Sequence, residues 1–277
     1  MTIIASLLRE ALLPDSPTAR LDAELLLAAA LGKSRSFLHT WPERIVPTEA
    51  AKAFVANLQR RREGEPVAYI LGSQGFWSLD LEVAPHTLIP RPETEMLVEA
   101  ALALLPLTAS RVLDLGTGSG AIALALASER REWQVTGVDR IDEAVALAER
   151  NRQRLRVDNA RILASHWFSA VAGERFDLIV SNPPYIADAD PHLSAGDVRF
   201  EPSSALVAGR DGLDDLKLII AQAPEYLNPR GWLLLEHGYD QAAAVRELLA
   251  KHDFEQIESR EDLGGHERIT LGRLCAE

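Results

Sequence analysis

Three stretches carry residues whose types and spacing can do chemistry. Asp114-Leu115-Gly116-Thr117-Gly118-Ser119-Gly120 is a glycine-rich turn, Asp139 stands beyond it, and Asn182-Pro183-Pro184-Tyr185 is a stiff corner. Glycines between a strand and a helix let the chain turn sharply and let a ligand approach the backbone beside the helix's positive end. No lysine followed by serine or threonine closes the turn, so it is not a nucleoside-triphosphate loop. Gly116, Gly118 and Ala121 satisfy a looser dinucleotide pattern, which alone does not separate NAD from other adenosine cofactors. Asp139 lies about twenty residues on, where a carboxylate receives ribose hydroxyls, and this favours a nucleoside over a plain tight turn. Asp114 leans the choice away from NAD, because a carboxylate beside the turn repels a pyrophosphate and suits a cation. S-adenosylmethionine carries a sulfonium and an ammonium and no phosphate. The other reading of Asp114 is a carboxylate at a helix N-terminus.

The corner addresses a different difficulty. Two consecutive prolines fix the backbone and remove two N–H donors, leaving the Asn182 side-chain oxygen and the Pro183 carbonyl as acceptors. Two rigid acceptors suit a planar –NH2 group, and Tyr185 can lie against its flat face. An amide nitrogen is a poor nucleophile because its lone pair is delocalised, as the rotation barrier of roughly 18–20 kcal/mol reflects. Holding both N–H bonds while an electrophilic methyl lies in line lets that nitrogen pyramidalise. Proximity supplies about 7–11 kcal/mol, and the acceptors stabilise the positive charge that grows on nitrogen. No strong base is required.

The elements that must position these residues can be read from periodicity. Arg111–Leu115, Gln134–Asp139, Ala160–Ala164, Asp177–Ser181 and Gly231–Glu236 read as strands, with helices from about Ala121 and Asp142. Such alternation means a mainly parallel sheet with helices on both faces, and ligands bind at the carboxyl ends of its strands. Upstream the first seventy or so residues read as helices. Leu21, Leu25, Ala28 and Ala29 share a face of a helix that Gly32 ends, and Ala50, Phe54 and Leu58 share another. Arg60-Arg61-Arg62 reads as a solvated helix end favoured by the macrodipole. Phe76–Val83 alternates with period two and reads as a hairpin connector.

Composition narrows the class. The chain has 277 residues, 47% of them hydrophobic and 25% charged, which excludes disordered and collagen-like chains and suits one large domain with a small one. Lysine and arginine number 29 against 41 acidic residues, a net charge of −12. That balance disfavours gripping a long nucleic-acid backbone, so no direct nucleic-acid substrate is expected. One cysteine, Cys275, excludes an intrachain disulfide and a cysteine-built zinc site, and no metal is expected. The N-terminal stretch lacks a basic lead and no apolar run approaches the roughly 18 residues of a membrane span, so a cytoplasmic protein without membrane contact is expected.

Together the Asp114–Gly120 loop, Asp139 and Asn182–Tyr185 resemble class I S-adenosylmethionine-dependent methyltransferases acting on planar amino groups. The corner alone is shared with adenine N6 methyltransferases of DNA and RNA. Leu88-Ile-Pro-Arg-Pro-Glu-Thr-Glu95 after the Phe76-Trp77 hairpin, and Arg199-Phe-Glu-Pro202 with Ala205-Leu206, are similar to the peptide chain release factor glutamine methyltransferases, the PrmC/HemK family. The resemblance covers nearly the whole chain, to Glu267–Gly272. It implies an α/β, Rossmann-like class I methyltransferase sheet domain with a small N-terminal helical domain joined by a β-hairpin. The expected bounds are 1–72 for substrate recognition, 73–90 for the hairpin linker and 91–277 for the methyltransferase domain.

The implied reaction moves a methyl group from S-adenosylmethionine, leaving S-adenosylhomocysteine, to the side-chain nitrogen of the glutamine in the Gly-Gly-Gln loop of class I release factors. By resemblance Gly116, Thr117, Gly118, Ser119, Gly120 and Asp139 hold the cofactor together with Asn182, and Trp167 lines its adenine side. Asn182, Pro183, Pro184 and Tyr185 hold the glutamine, with Asn182, Pro183 and Tyr185 as the catalytic set. The residue before Trp167 is commonly aspartate in relatives and is His166 here, which removes the adenine contact expected from that position. Arg91 and Glu93 read equally as a roof over the pocket or as an interdomain salt bridge. A monomer suffices. The rivals are a ribosomal-protein glutamine methyltransferase, whose loop usually lacks Pro92–Glu95, a nucleic-acid adenine methyltransferase, and a non-catalytic cofactor-binding protein.

Overall fold

In a computed structural model, residues 2–276 are described; Met1 and Glu277, the outermost residues of the expected segments 1–72 and 91–277, lie outside them. The chain divides into two compact units, residues 1–73 with 194–200, and 74–193 with 201–277.

The first unit is helical: α1 (Ile4–Glu10), α2 (Ala19–Leu31), α3 (Arg35–Thr40), α4 (Thr48–Arg62) and α5 (Val67–Leu71). Gly32 ends α2 in the left-handed conformation, φ 60°, as expected of a glycine there. The buried face of α2 differs from the one read in the sequence. Of the residues expected there, Ala28 is buried and Leu25 half-buried, but Leu21 and Ala29 are exposed, and the face is completed by Ala23, Leu26 and Leu27 with Asp22 and Glu24. Counting apolar residues alone misplaces that face, because two of its members are carboxylates with partners. Glu24 meets Arg20 and Arg35, and these cations lower its pKa against the opposing effect of burial. Asp22 accepts from Arg61 at 2.7 Å. Arg61 is therefore a buried tie and not a solvated helix end: it also donates to Asp197 at 2.7 Å and to the Glu65 carbonyl at 3.2 Å.

The second unit opens with a hairpin, β1 (Ser73–Phe76, its first residue still in the first unit) and β2 (Leu79–Glu82), then α6 (Glu95–Leu104), β3 (Arg111–Leu115), α7 (Ala121–Glu129), β4 (Gln134–Asp139), α8 (Asp142–Leu155), β5 (Ala160–Ala164) and β6 (Phe176–Ser181). It closes with α9 (Asp214–Tyr226), β7 (Leu227–Glu236), α10 (Ala242–Lys251), β8 (Phe254–Glu261) and β9 (Glu267–Leu274). Among the described residues seven strands form one sheet in the order β5-β4-β3-β6-β7-β9-β8. β3 to β7 are parallel, while β9 runs antiparallel to β7 and β8.

Both faces of this sheet are buried, so its strands read as apolar runs whose alternate residues serve opposite cores. Val112, Leu178, Val180 and Leu234 pack with Leu97 of α6 and Leu126 of α7. Leu113, Ile179, Leu233 and Leu235 pack with Ile219 and Ile220 of α9 and Leu249 of α10. From β3 the chain steps outward through β4 and β5, then returns to pair β6 on the other side of β3. That reversal makes β3/β6 the topological switch point, where a crevice opens above the carboxyl ends.

Candidate active site

The glycine turn leaves β3 and enters α7. Gly116 and Gly120 have φ of +71° and +87°, values that L side chains adopt only with strain. A Cβ on Gly120 would lie 3.0 Å from Leu124 Cδ1 and 3.3 Å from Ala148 Cβ. Gly120 caps α7 but has no side chain to satisfy the helix's first N–H groups. Asp114 takes that work: its Oδ2 accepts from Ala123 N at 3.1 Å and from Thr117 Oγ1 at 2.6 Å. It is fully buried beneath the turn and absent from the cleft wall. The reading of Asp114 as a partner for a cationic ligand is thus corrected to that of a helix-terminus carboxylate. Burial, with a smaller contribution from the charge of Asp139, pushes it up to about 7.

Asp139 ends β4 with both oxygens engaged by backbone. Oδ2 accepts from Gly118 N at 2.9 Å and Oδ1 from Ile141 N at 3.0 Å. Each carboxylate oxygen retains a second lone pair, and Asp139 lines the cleft. Buried Asn151 supports the turn from below, donating to the Ser119 and Glu82 carbonyls at 2.9 Å each.

The cleft holds about 890 Å³ of empty space, its open mouth included. Gly116, Thr117, Gly118, Ser119, Asp139, Trp167, Asn182 and Pro184 line it, so the structure brings together residues spread over 69 positions of sequence. Gly120, Pro183 and Tyr185 adjoin these residues in sequence and are not part of the lining. Trp167 Nε1 and His86 Nε2 are buried without a hydrogen-bond partner among the described residues, and both side chains line the cleft. Unpartnered buried polar atoms are costly, and at this wall they suit a polar ligand such as a nucleoside. His166 is exposed and outside the lining.

At the corner, Asn182 Nδ2 donates to Thr94 Oγ1 at 3.1 Å. Thr94 Oγ1 in turn donates to Glu236 Oε2 at 2.7 Å, and Tyr185 Oη donates to Glu236 Oε1 at 3.2 Å. Asn182 Oδ1 and the Pro183 carbonyl accept no protein hydrogen bond among the described residues. The corner's backbone is held at its far end, where Gln241 Nε2 donates to the Tyr185 carbonyl at 3.0 Å. Burial pushes Glu236 up to about 7, and burial with the Glu236 charge pushes the Tyr185 phenol upward. Thr94 and Glu236 escaped sequence reasoning as site residues. The available signal was a carboxylate closing the apolar strand Gly231–Glu236 at the end where ligands bind.

Arg91 forms an ion pair with buried Glu201, whose other oxygen accepts from Ile89 N at 3.2 Å. Both residues belong to the second unit, so the interdomain alternative for Arg91 is set aside. The pair fastens the 88–95 segment that carries Thr94.

A crevice at the switch point, a glycine turn with its acidic partner and an acceptor-rich corner define a Rossmann-like methyltransferase. Residues 92–209 match the methyltransferase small domain model, and residues 4–72 match the PrmC N-terminal domain model. The fold is shared with the T. thermophilus 16S rRNA N2 G1207 methyltransferase solved in complex with AdoMet and guanosine, at TM-score 0.52 and 22% identity over 73% of this chain and 49% of that one.

Relatives are more specific. The release factor glutamine methyltransferase of Pseudomonas aeruginosa is 70% identical, covering 99% of each chain. That of Escherichia coli is 52% identical over 96% of this chain and 97% of its own. The chain belongs to the release factor glutamine methyltransferase family.

Proposed function

We propose that this enzyme transfers a methyl group from S-adenosylmethionine to the side-chain nitrogen of the glutamine in the Gly-Gly-Gln loop of class I peptide chain release factors. The observation that carries the reading is the state of the corner: Asn182 lines the cleft with its Nδ2 committed to Thr94 and its Oδ1 unclaimed. The family relatives, which are named for release factor glutamine methylation, support the same substrate.

S-adenosylmethionine fits this chain's residues and supplies, when bound, an electrophilic methyl group. Asp139 would hold the ribose hydroxyls with the lone pairs its backbone contacts leave free. The Gly116–Gly120 turn would hold the remainder of the nucleoside, and Trp167 would line its base. Asn182 Oδ1 and the Pro183 carbonyl would each take one N–H of the glutamine carboxamide, leaving its nitrogen lone pair free to form the new N–C bond; the methylated nitrogen is then acidic and loses one of its two protons to water. Pro183 and Pro184 keep those two oxygens apart with little conformational freedom, so their electrostatic stabilisation costs no reorganisation as charge develops on nitrogen. Tyr185, tethered to Glu236, backs the carboxamide plane. Residues 1–72 recognise the release factor, 73–90 act as the hairpin linker and 91–277 carry out transfer. The enzyme works as a monomer in the cytoplasm, and among the described residues no helix is long and apolar enough to cross a membrane.

The deciding experiment supplies labelled S-adenosylmethionine together with a release factor, ribosomal proteins, or DNA and RNA, and maps the label by mass spectrometry. Label on the Gly-Gly-Gln glutamine is expected. Label on adenine, or on a ribosomal-protein glutamine in preference to the release factor, would overturn the proposal.

A further inference from the structure

Asn182 can serve as an acceptor only if its amide is turned the right way round, and the two ends of a carboxamide have nearly the same shape. Turned over, it would present N–H groups to the N–H groups of the substrate. The residues that remove this ambiguity are Thr94, just before α6, and Glu236, at the end of β7. Both are buried, at 4% and 3% exposure, and they lie 142 residues apart in sequence.

We infer that Glu236 and Thr94 form a directional relay that sets the orientation of the Asn182 amide and so aims its oxygen at the acceptor substrate. The reasoning is an inventory of donors and acceptors. A carboxylate only accepts, so the Thr94 hydroxyl at 2.7 Å must give its one proton to Glu236. Thr94 Oγ1 then has only lone pairs to offer Asn182, and the group facing it at 3.1 Å must be Nδ2. Oδ1 is left toward the cleft. Tyr185, donating to the other Glu236 oxygen, ties the last residue of the corner to the same carboxylate. Thr94 and Glu236 are thus positioning residues, acting through Asn182. The inference rests on the proposed glutamine substrate for its purpose, though not for its geometry.

A proton on Glu236 would let the chain run backwards: the acid donates to Thr94, Thr94 donates to Asn182, and the amide turns over. The groups acting on Glu236 are Thr94 and Tyr185 by hydrogen bond, Arg268 of β9, which favours the charged form, and Glu93, which opposes it. Burial outweighs them and brings the acid form into reach near neutral pH. Turnover is therefore expected to fall on the acid side of about pH 7 through this relay.

The test uses the full chain, labelled S-adenosylmethionine and an intact class I release factor. Thr94→Val, which keeps shape and removes the hydroxyl, is expected to lower kcat about 10- to 100-fold, the scale of a small misplacement at a reacting centre. Cofactor affinity should stay within about twofold, and the acid limb of the kcat profile should flatten because Glu236 no longer reaches Asn182. Thr94→Ser should restore most of kcat and the limb. Separately, in protein labelled with 15N-asparagine, the Asn182 side-chain NH2 (assigned by its loss in Asn182→Ala) should exchange slowly in the wild type and fast in Thr94→Val. Full activity in Thr94→Val, equal losses in the valine and serine variants, or an Asn182 NH2 indifferent to Thr94 would each overturn the relay. If wild-type enzyme labels no glutamine while the NH2 protection still depends on Thr94, the relay stands and the proposed substrate falls.

Discussion

Replacing Asp114 with asparagine isolates the cost of keeping a carboxylate beneath the glycine turn. The folded state holds Asp114 near 7 against an ordinary value of 3.8, burial being the main cause. A carboxyl group whose folded pKa is raised favours folding while it is protonated. Its contribution is complete below the unfolded value and is lost as pH rises through the folded one. The span from 3.8 to about 7 is worth about 4 kcal/mol at roughly 1.4 kcal/mol per pKa unit. About 3 kcal/mol of this falls between pH 5 and pH 8.

Asparagine does not titrate. Its oxygen can replace Oδ2 as acceptor for Thr117 and Ala123, while its NH2 meets the unpartnered position of Oδ1. That orphan costs about 1–3 kcal/mol at every pH, so the slope and not the level carries the test. Urea unfolding of ligand-free wild type and Asp114→Asn is to be followed by tryptophan fluorescence, for which four of the five tryptophans (77, 133, 167 and 232) report on the second unit. The variant should gain on the wild type by about 3 kcal/mol from pH 5 to pH 8 and level off above. A flat difference would show that the buried carboxylate bears no charge penalty. A difference of opposite slope would mean that Asp114 is held ionised and that the account of the turn is wrong.

Other expectations follow from single contacts. Asn182→Ala should lower kcat about 100-fold or more, the scale for loss of one preorganised group at a developing charge, and cofactor affinity by calorimetry far less; equal losses in both would give Asn182 a different role. Asp139→Ala should behave in reverse, weakening cofactor binding about 10- to 100-fold, as loss of hydrogen bonds to a charged group predicts, and unchanged binding would remove Asp139 from the ribose. Arg61→Leu leaves Asp22 buried without its cation and should destabilise the helical unit by about 3 kcal/mol, seen as faster amide exchange in α2 and α4; unaltered exchange there would show that the tie contributes little.

What the sequence made legible and what it hid differ in the range of the interactions involved. The β3, β4 and β5 ranges coincide with the segments Arg111–Leu115, Gln134–Asp139 and Ala160–Ala164 read from periodicity, because a strand buried on both faces must be an apolar run between turns. The glycine turn and the corner were legible for the same reason, each being a local solution at one strand end. β8 was not. Phe254-Glu255-Gln256-Ile257-Glu258-Ser259-Arg260-Glu261 is an edge strand with much of its side-chain surface exposed, and polar residues there obscure the alternation while protecting the edge from association. The face of α2 and the role of Arg61 were misread because a buried charge looks like a surface charge until its partner, 39 residues away, is known. The same holds at the active site with greater consequence. The residues expected to touch ligand announce themselves in short motifs, but the threonine and glutamate that turn Asn182 the right way round meet only in the fold. A motif search alone therefore finds the acceptor and misses what makes it an acceptor.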